Sequence, residues 1–374
     1  MKIQRIDVFP LIFPMKRNFS ISGGSVGSKE SGATHVYVKI TADNGTVGWG
    51  EARPSRRWSY ETLESVTSTI RKYLGPVLIG KNPLCFKTLH QMMNSEVASG
   101  VNIGQPIAKS GIDLALHDLA TKSENKPLPW IWQEPVPSPV KLSYLISTSD
   151  PEEAAHLASK AKAEGYKGLD VKVGLSPKRD IDVIRAVKET APDLFFRVDA
   201  NQAYTLSQAI QLAKNMEAVG VDVFEQPLPA GDLFGHARLR ARAGVPIALD
   251  ESVWSPRDVV NAVRTEAADT VVIKTSKMGG LYYARLCGQI AREAGLDLLG
   301  GGLTESTIGL TASAYLFGTL DITTPVDLNG PFFLADDAVH SGAKIRDGCV
   351  HFPDDVGIGC TIDEEKIVKY RAQL

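Results

Sequence analysis

The sequence predicts an α/β protein in which an α/β barrel carries a smaller α+β capping domain. Three observations support that prediction. The chain has 374 residues, too many for one ordinary domain but enough for a barrel of about 250 residues plus a cap. From Val140 onward, strand-like runs alternate with amphipathic helical stretches at steps of about 25 residues, which indicates right-handed βαβ units and a parallel sheet. Finally, Lys172, Asp199, Glu225, Asp250, Lys274 and Glu305 each end a short apolar run. Polar residues at the C-terminal ends of parallel strands converge on the open mouth of a barrel.

The elements follow in order. Met1–Pro14 alternates as a strand through Ile3, Ile6, Val8, Leu11 and Phe13. Met15–Gly32 is polar and Gly/Ser-rich, too long for a hairpin turn, and long ordered loops tend to be functional. His35–Ala42 and Thr46–Glu51 flank Asp43-Asn44-Gly45, a hairpin signal. Tyr60–Leu74 and Gln105–Lys122 carry helical spacing. These pieces define a capping domain over residues 1–125. Barrel strands are expected to begin near Val140, Lys167, Leu194, Val221, Pro246, Thr270, Leu296 and Thr324. Helices are expected over Glu152–Glu164, Lys178–Thr190, Leu206–Val219, Pro256–Glu266, Leu281–Ala294 and Ile308–Phe317. The barrel domain therefore spans residues 126–330. Residues 331–374 lose the alternation and are expected to pack back on the cap.

Composition narrows the function. Apolar residues make up 43% of the chain, enough for a sizeable core. The net charge is −2 and there is no Lys/Arg run, so neither nucleic acid nor an anionic membrane is an expected partner. The four cysteines are scattered without a CxxC pair and read as reduced thiols of a cytoplasmic protein. Arg5 and Asp7 interrupt the first apolar stretch, which argues against a signal-peptide core.

An isolated Asp after an apolar run is usually a turn or helix-capping residue. Asp199, Glu225 and Asp250 on consecutive units are different: three like charges at one mouth are costly without a cation. Mg²⁺ takes oxygen ligands and keeps positions open for water or substrate. A strand-end lysine alone is usually a solvated rim residue. Lys172 and Lys274, each preceded by apolar residues, bracket the acids and are read as functional. Lys277, three residues on, stays open between the two readings.

The ordered set resembles the enolase superfamily, and within it the muconate lactonizing enzyme subgroup. The match includes Val47-Gly48-Trp49-Gly50-Glu51-Ala52, Ala108–Lys122, the three carboxylates, Ile273-Lys274 with Met278-Gly279-Gly280, and Thr304-Glu305-Ser306. The resemblance implies a modified TIM barrel, (β/α)7β, under an α+β cap. It implies an isomerase that abstracts a proton α to the carboxylate of a small molecule, with Mg²⁺ stabilising the enediolate. By position, Asp199, Glu225 and Asp250 match the metal ligands, Lys172 the base on the second strand, and Lys274 the lysine facing the other side of the substrate. Glu305 matches a carboxylate that orders the mouth, and Asn201 falls beside the ligands. A homo-oligomer is implied as well. None of the seven histidines sits at a barrel-strand end, which argues against the mandelate racemase subgroup and its His–Asp pair. A lysine base needs a depressed pKa, supplied by burial and a nearby cation. Lysines on both faces fit racemisation or epimerisation of an amino-acid derivative. Dehydration of a hydroxy or sugar acid and muconate-type cycloisomerisation share the same first step. A non-catalytic binding or scaffold protein is the alternative of a different class.

Two departures bear on the substrate. The subgroup's Lys-x-Lys on the second strand is here Asp170-Val171-Lys172, and alternation places Asp170 inward beside Lys172. Asp170 either pairs with a neighbouring cation or receives a cationic group of the substrate. Asp327 and Asn329, at the eighth strand, resemble the Asp-x-Asp that holds the ammonium group in dipeptide epimerases, with Asn in the second place. The two acids favour a substrate bearing an amine. By analogy, Met15–Gly32 and Arg53–Tyr60 lie over the mouth, with Arg53, Arg56, Arg57 and Trp58 as anion-binding or stacking groups.

Overall fold

Alternation at the N-terminus builds the capping sheet. In the computed structural model, which describes residues 1–100 and 103–374, Ile3–Phe13 pairs antiparallel with Ala33–Ala42, which pairs antiparallel with Val47–Ala52. Gly45 closes the expected turn with φ +83°. Helix Pro106–Ser123 packs on this sheet. Gly48 and Gly50, on one face of their strand, let the helix backbone approach where a Cβ would collide with it.

Two cap elements differ from expectation. The stretch Met15–Gly32 holds a small hairpin of its own, Phe19–Ile21 with Gly24–Gly27. Strands this short leave no readable alternation. The hairpin is tied over the barrel by Ser22 Oγ donating to Asn201 O (2.7 Å) and Ser147 Oγ donating to Ser20 O (2.7 Å). The helix expected from Tyr60 begins at Leu63, after a Thr62–Ser65 capping box, and turns into a π-helical segment over Ile70–Leu74. A helix over Phe86–Glu96 was not anticipated.

The barrel holds seven parallel strands in sequential order: Ser143–Ile146, Gly168–Lys172, Phe195–Asp199, Val223–Glu225, Ile247–Leu249, Thr270–Ile273 and Asp297–Gly300. The six expected helices form within about two residues of their predicted ends. Leu233–Arg240 adds a seventh. Val223, Ala248, Val272 and Leu299 form an apolar layer inside the ring, with Phe195 against it. The eighth strand is a correction: the segment after Thr324 makes one bridge, Leu142 to Val326, and no ladder. Val326 N–H donates to Lys141 O (2.9 Å), Ser143 N–H to Val326 O (2.9 Å), and Asp327 N–H to Gly300 O (3.0 Å). These bonds close the ring between the seventh and first strands. Pro325 lacks an amide hydrogen, and Gly330-Pro331 ends the segment, so no longer ladder forms.

The cap is latched to the barrel by Glu51. It lies 2.6 Å from His35 Nδ1 and accepts from Ser306 N–H (2.8 Å), Ser306 Oγ–H (2.7 Å) and Gly309 N–H (2.9 Å), at the start of helix Thr307–Thr319. Burial alone would raise the Glu51 pKa, but His35 and the Ser306 donors outweigh it and hold it low. The C-terminal segment reaches both domains. Ile12 N–H donates to Tyr370 O and Ala372 N–H to Pro10 O, each at 2.9 Å, while Lys344–Arg346 and Cys349–His351 form a hairpin against Val140–Lys141.

Candidate active site

Every residue expected at the barrel mouth is buried, whereas Arg56 and Arg57 of the cap are exposed and do not line the cavity. The second strand, Gly168–Lys172, has no exposed position, and its alternation points Asp170 and Lys172 the same way. Lys172 Nζ donates to Asp170 Oδ2 (3.1 Å) and Asp199 Oδ2 (2.6 Å). On the sixth-strand side, Lys274 Nζ donates to Asp250 Oδ2 (2.6 Å). Lys277, left open by the sequence, donates to Asp250 Oδ1 (2.8 Å) and to its carbonyl (2.6 Å). Asp199 and Glu225 are direct neighbours in register, and Glu225 pairs with Ala248 of the fifth strand, whose end carries Asp250.

Two charged residues of the site escaped the sequence reading. Arg197 sits fully buried against Glu225, 3.9 Å from Asp170, and donates to Gly300 O (3.2 Å). Its signal was available: it precedes Asp199 by two on one strand and so shares its face. Glu251, directly after Asp250, accepts from Asn201 Nδ2 (3.1 Å). Burial, then the charges of Asp250 and Asp199, push the Glu251 carboxyl up to about 8.

The lysines differ from expectation. Burial lowers the Lys172 pKa, but Asp170 and Asp199 more than reverse this and hold it well above the ordinary value. Lys274 is raised in the same way by Asp250 and Glu225. Among the described residues, no three acidic, His or Cys side chains already converge on one metal position. The acids lean on neighbouring cations instead. Even so, the donor set fits a hard cation. Glu225 is ion-paired with Arg197, but neither of its buried oxygens accepts a hydrogen bond, and Oε1 has no partner at all. Burial pushes the Glu225 pKa well up, Arg197 opposes this, and Asp199 and Asp250 add to it. A divalent ion among three all-oxygen side chains relieves that repulsion. The same ion would offset the carboxylate charge that raises both lysines.

The lysines open on one cavity. Its barrel wall includes Lys172, Asn201, Lys274, Asp327 and Asn329, and its cap wall Phe19, Ile21, Val26, Ser55 and Trp58. The cap segments expected over the mouth are therefore there. The Trp58 ring stands 4.6 Å from Lys274 Nζ and packs on Trp254 (5.3 Å). Arg53 does not serve the cavity as an anion site. Its buried guanidinium donates to Thr34 O (2.9 Å) and other carbonyls, and burial lowers its pKa to about 10. Glu305 accepts from Ser276 Oγ–H and Leu303 N–H, both at 2.7 Å. Asp327 faces Asp170. Burial, then that neighbouring charge, push its carboxyl up to about 7. For Asp170, burial is outweighed by Lys172 and Arg197, so its pKa is lowered. Asn201 Oδ1, Asp327 Oδ1 and Asn329 Oδ1 are all buried without partners.

A barrel with lysines flanking carboxylates at its mouth, closed by an α+β cap, defines a class of enzymes acting on carbon acids. Residues 9–130 match the family model "Mandelate racemase / muconate lactonizing enzyme, N-terminal domain", and residues 153–366 match "Enolase C-terminal domain-like". The chain belongs to the enolase superfamily, with relatives in its muconate lactonizing enzyme subgroup. It is 30% identical to the N-succinyl-L-Arg/Lys racemase of Bacillus cereus, over 98% of this chain and 97% of that one. It is 31% identical to a chloromuconate cycloisomerase of Pseudomonas putida, over 98% of each. A dipeptide epimerase of Enterococcus faecalis, solved with Mg and the dipeptide L-Leu-L-Tyr, superposes with a TM-score of 0.90 at 28% identity, covering 96% of this chain and 100% of that one.

Proposed function

We propose that this protein catalyses Mg²⁺-dependent transfer of the proton α to a substrate carboxylate, and that it racemises or epimerises an amino-acid derivative. One observation carries the reading. Lys172 and Lys274 reach a single cavity from the second and sixth strands, with the acid-bearing strands between them. Asp199, Glu225 and Asp250 would hold the ion. Bound there, it supplies positive charge where negative charge builds on the substrate carboxylate.

The chain's own groups do the rest. Lys172 Nζ, as the free amine that the ion's charge would favour, takes the α-proton from one face, and the Lys274 ammonium gives a proton to the other. Asp170 holds Lys172 Nζ in place through their 3.1 Å contact. The hairpin residues Phe19 and Ile21, with Trp58, shut water out above the reacting carbon. Such a positioned acid–base group contributes on the order of 10²–10⁴ in rate.

Proton NMR in D₂O tests this, with the Mg²⁺-loaded protein and each enantiomer of a panel of amino-acid derivatives. Lys172→Ala should abolish α-deuterium incorporation from one enantiomer and Lys274→Ala from the other. Equal partial losses in both variants for both enantiomers would contradict the two-face assignment. Exchange followed by elimination or ring formation would move the reaction to a dehydratase or cycloisomerase.

A further inference from the structure

The charge inventory of the mouth constrains the substrate. Six buried carboxylates, Asp170, Asp199, Glu225, Asp250, Glu251 and Asp327, face four buried cations, Lys172, Arg197, Lys274 and Lys277. Glu305 stands outside this set, offset by Arg53, on which it exerts the largest attraction. The acids outnumber the cations by two. A substrate carboxylate adds a further acid to this buried set, which is costly unless it is paired. A lysine at position 170 would make the two groups equal in number; the aspartate keeps the acids in excess, beside Asp327 at the cavity wall.

The cavity wall carries a second, independent sign of the missing charge. Asn201 Oδ1, Asp327 Oδ1 and Asn329 Oδ1 are buried acceptors without donors, and all three residues line the cavity. Buried acceptors are normally satisfied. Three at one cavity call for a ligand rich in N–H.

We propose that Asp170 tunes this site to substrates that bring their own positive charge: zwitterionic amino acids with a free or N-alkylated amine, rather than N-acylated anions or dicarboxylates. The proposal rests on the reading given under Proposed function and narrows its substrate. Asp170 touches Lys172, Arg197 and Asp327 and does not line the cavity. It acts as a positioning residue, through Asp327 and through the net charge. The apolar wall of Phe19, Ile21, Val26 and Trp58 selects an apolar side chain.

Calorimetric binding with charge-graded triplets tests it: L-leucine, N-acetyl-L-leucine and N-succinyl-L-leucine, and the same series on L-proline. Wild-type protein, with and without Mg²⁺, should bind the zwitterion at least about tenfold more tightly than the N-acetyl anion, a difference of about 1.4 kcal/mol. The N-succinyl dianion should bind weakest. Asp170→Asn should shrink the preference, with the N-succinyl dianion gaining most and the N-acetyl anion next. A purely structural role would weaken all three ligands alike. Equal or tighter binding of the anions by wild-type protein overturns the proposal, as does failure of every zwitterion to bind at millimolar concentration. The wild-type comparison stands even if the variant does not fold. Zwitterion preference without α-deuterium exchange in any compound would leave this inference standing and remove the proposed reaction.

Discussion

Two buried acidic clusters lie on either side of the cap–barrel boundary, and they are built on opposite principles. At the latch, Glu51 has a donor for each need: His35, two groups of Ser306 and the Gly309 amide. At the mouth, Glu225 has only the Arg197 ion pair and no hydrogen-bond donor, Asp327 keeps one buried oxygen without a partner, and both carboxyls are pushed up by burial and by neighbouring acids. A satisfied network rigidifies a junction; an unsatisfied one stores a demand that a ligand meets.

Removing the metal should disturb the mouth alone. EDTA-treated protein should lose on the order of a thousandfold in turnover, from loss of several kcal/mol of charge stabilisation, and recover with Mg²⁺. Its far-UV circular dichroism should not change. Full activity without metal would leave the mutual repulsion of Asp199, Glu225 and Asp250 without a purpose.

The converse change breaks the latch. Glu51→Ala strands His35 and three other donors in the interior and should cost about 3–5 kcal/mol in urea unfolding. Glu225→Gln relieves repulsion from Asp199 and Asp250 but also weakens the pairing with Arg197, so in metal-free protein it should cost clearly less than Glu51→Ala. A destabilisation of Glu225→Gln as large as that of Glu51→Ala would erase the distinction.

The two clusters also predict opposite responses to pH. The folded Glu51 pKa is depressed, so its contribution is present above the unfolded carboxyl value and is lost as pH falls through the folded one. Asp327 is raised from 3.8 to about 7, so the folded state holds its proton more tightly and stability falls as pH rises across that window. In metal-free protein, Asp327→Asn should flatten the stability profile between those values. Glu51→Gln should flatten it at the acid end. Thermal unfolding across pH reads both, and a profile unchanged by Asp327→Asn would count against the strained mouth.

The smallest effect calibrates the others. Thr205→Ala removes the cap of helix Leu206–Val219, remote from both clusters, and should cost about 1 kcal/mol with no change in turnover.

Much of the mouth was legible because each strand is a short apolar run that ends at a polar residue. Lys172, Asp199, Glu225, Asp250 and Lys274 mark those ends, and the structure brings them together at one mouth. Arg197 was not, because it lies inside its run, although its spacing from Asp199 gave it away. The state of the lysines was also beyond the sequence, since burial and neighbouring charge oppose one another and only geometry decides between them. The latch was illegible for a different reason: Glu51 and Ser306 are 255 residues apart, and nothing local marks either as the other's partner. Short hairpin strands and the lone bridge at Val326 were missed or overdrawn because two or three residues cannot display a period.

That lone bridge has a consequence for how such a barrel changes over time. On the five central strands of the ring, a side chain at the mouth stands on a strand locked into ladders on both sides. Asp327 and Asn329 stand on a seam held by three backbone bonds and bounded by prolines. Backbone amides there should exchange with solvent before those of the central strands. A seam of this kind can accept new side chains, or a shifted backbone, without unzipping the sheet. Under the proposed function, Asp327 and Asn329 would meet the part of the substrate remote from the reacting carbon, so a change on this seam would alter substrate preference while the lysines and acids stay fixed.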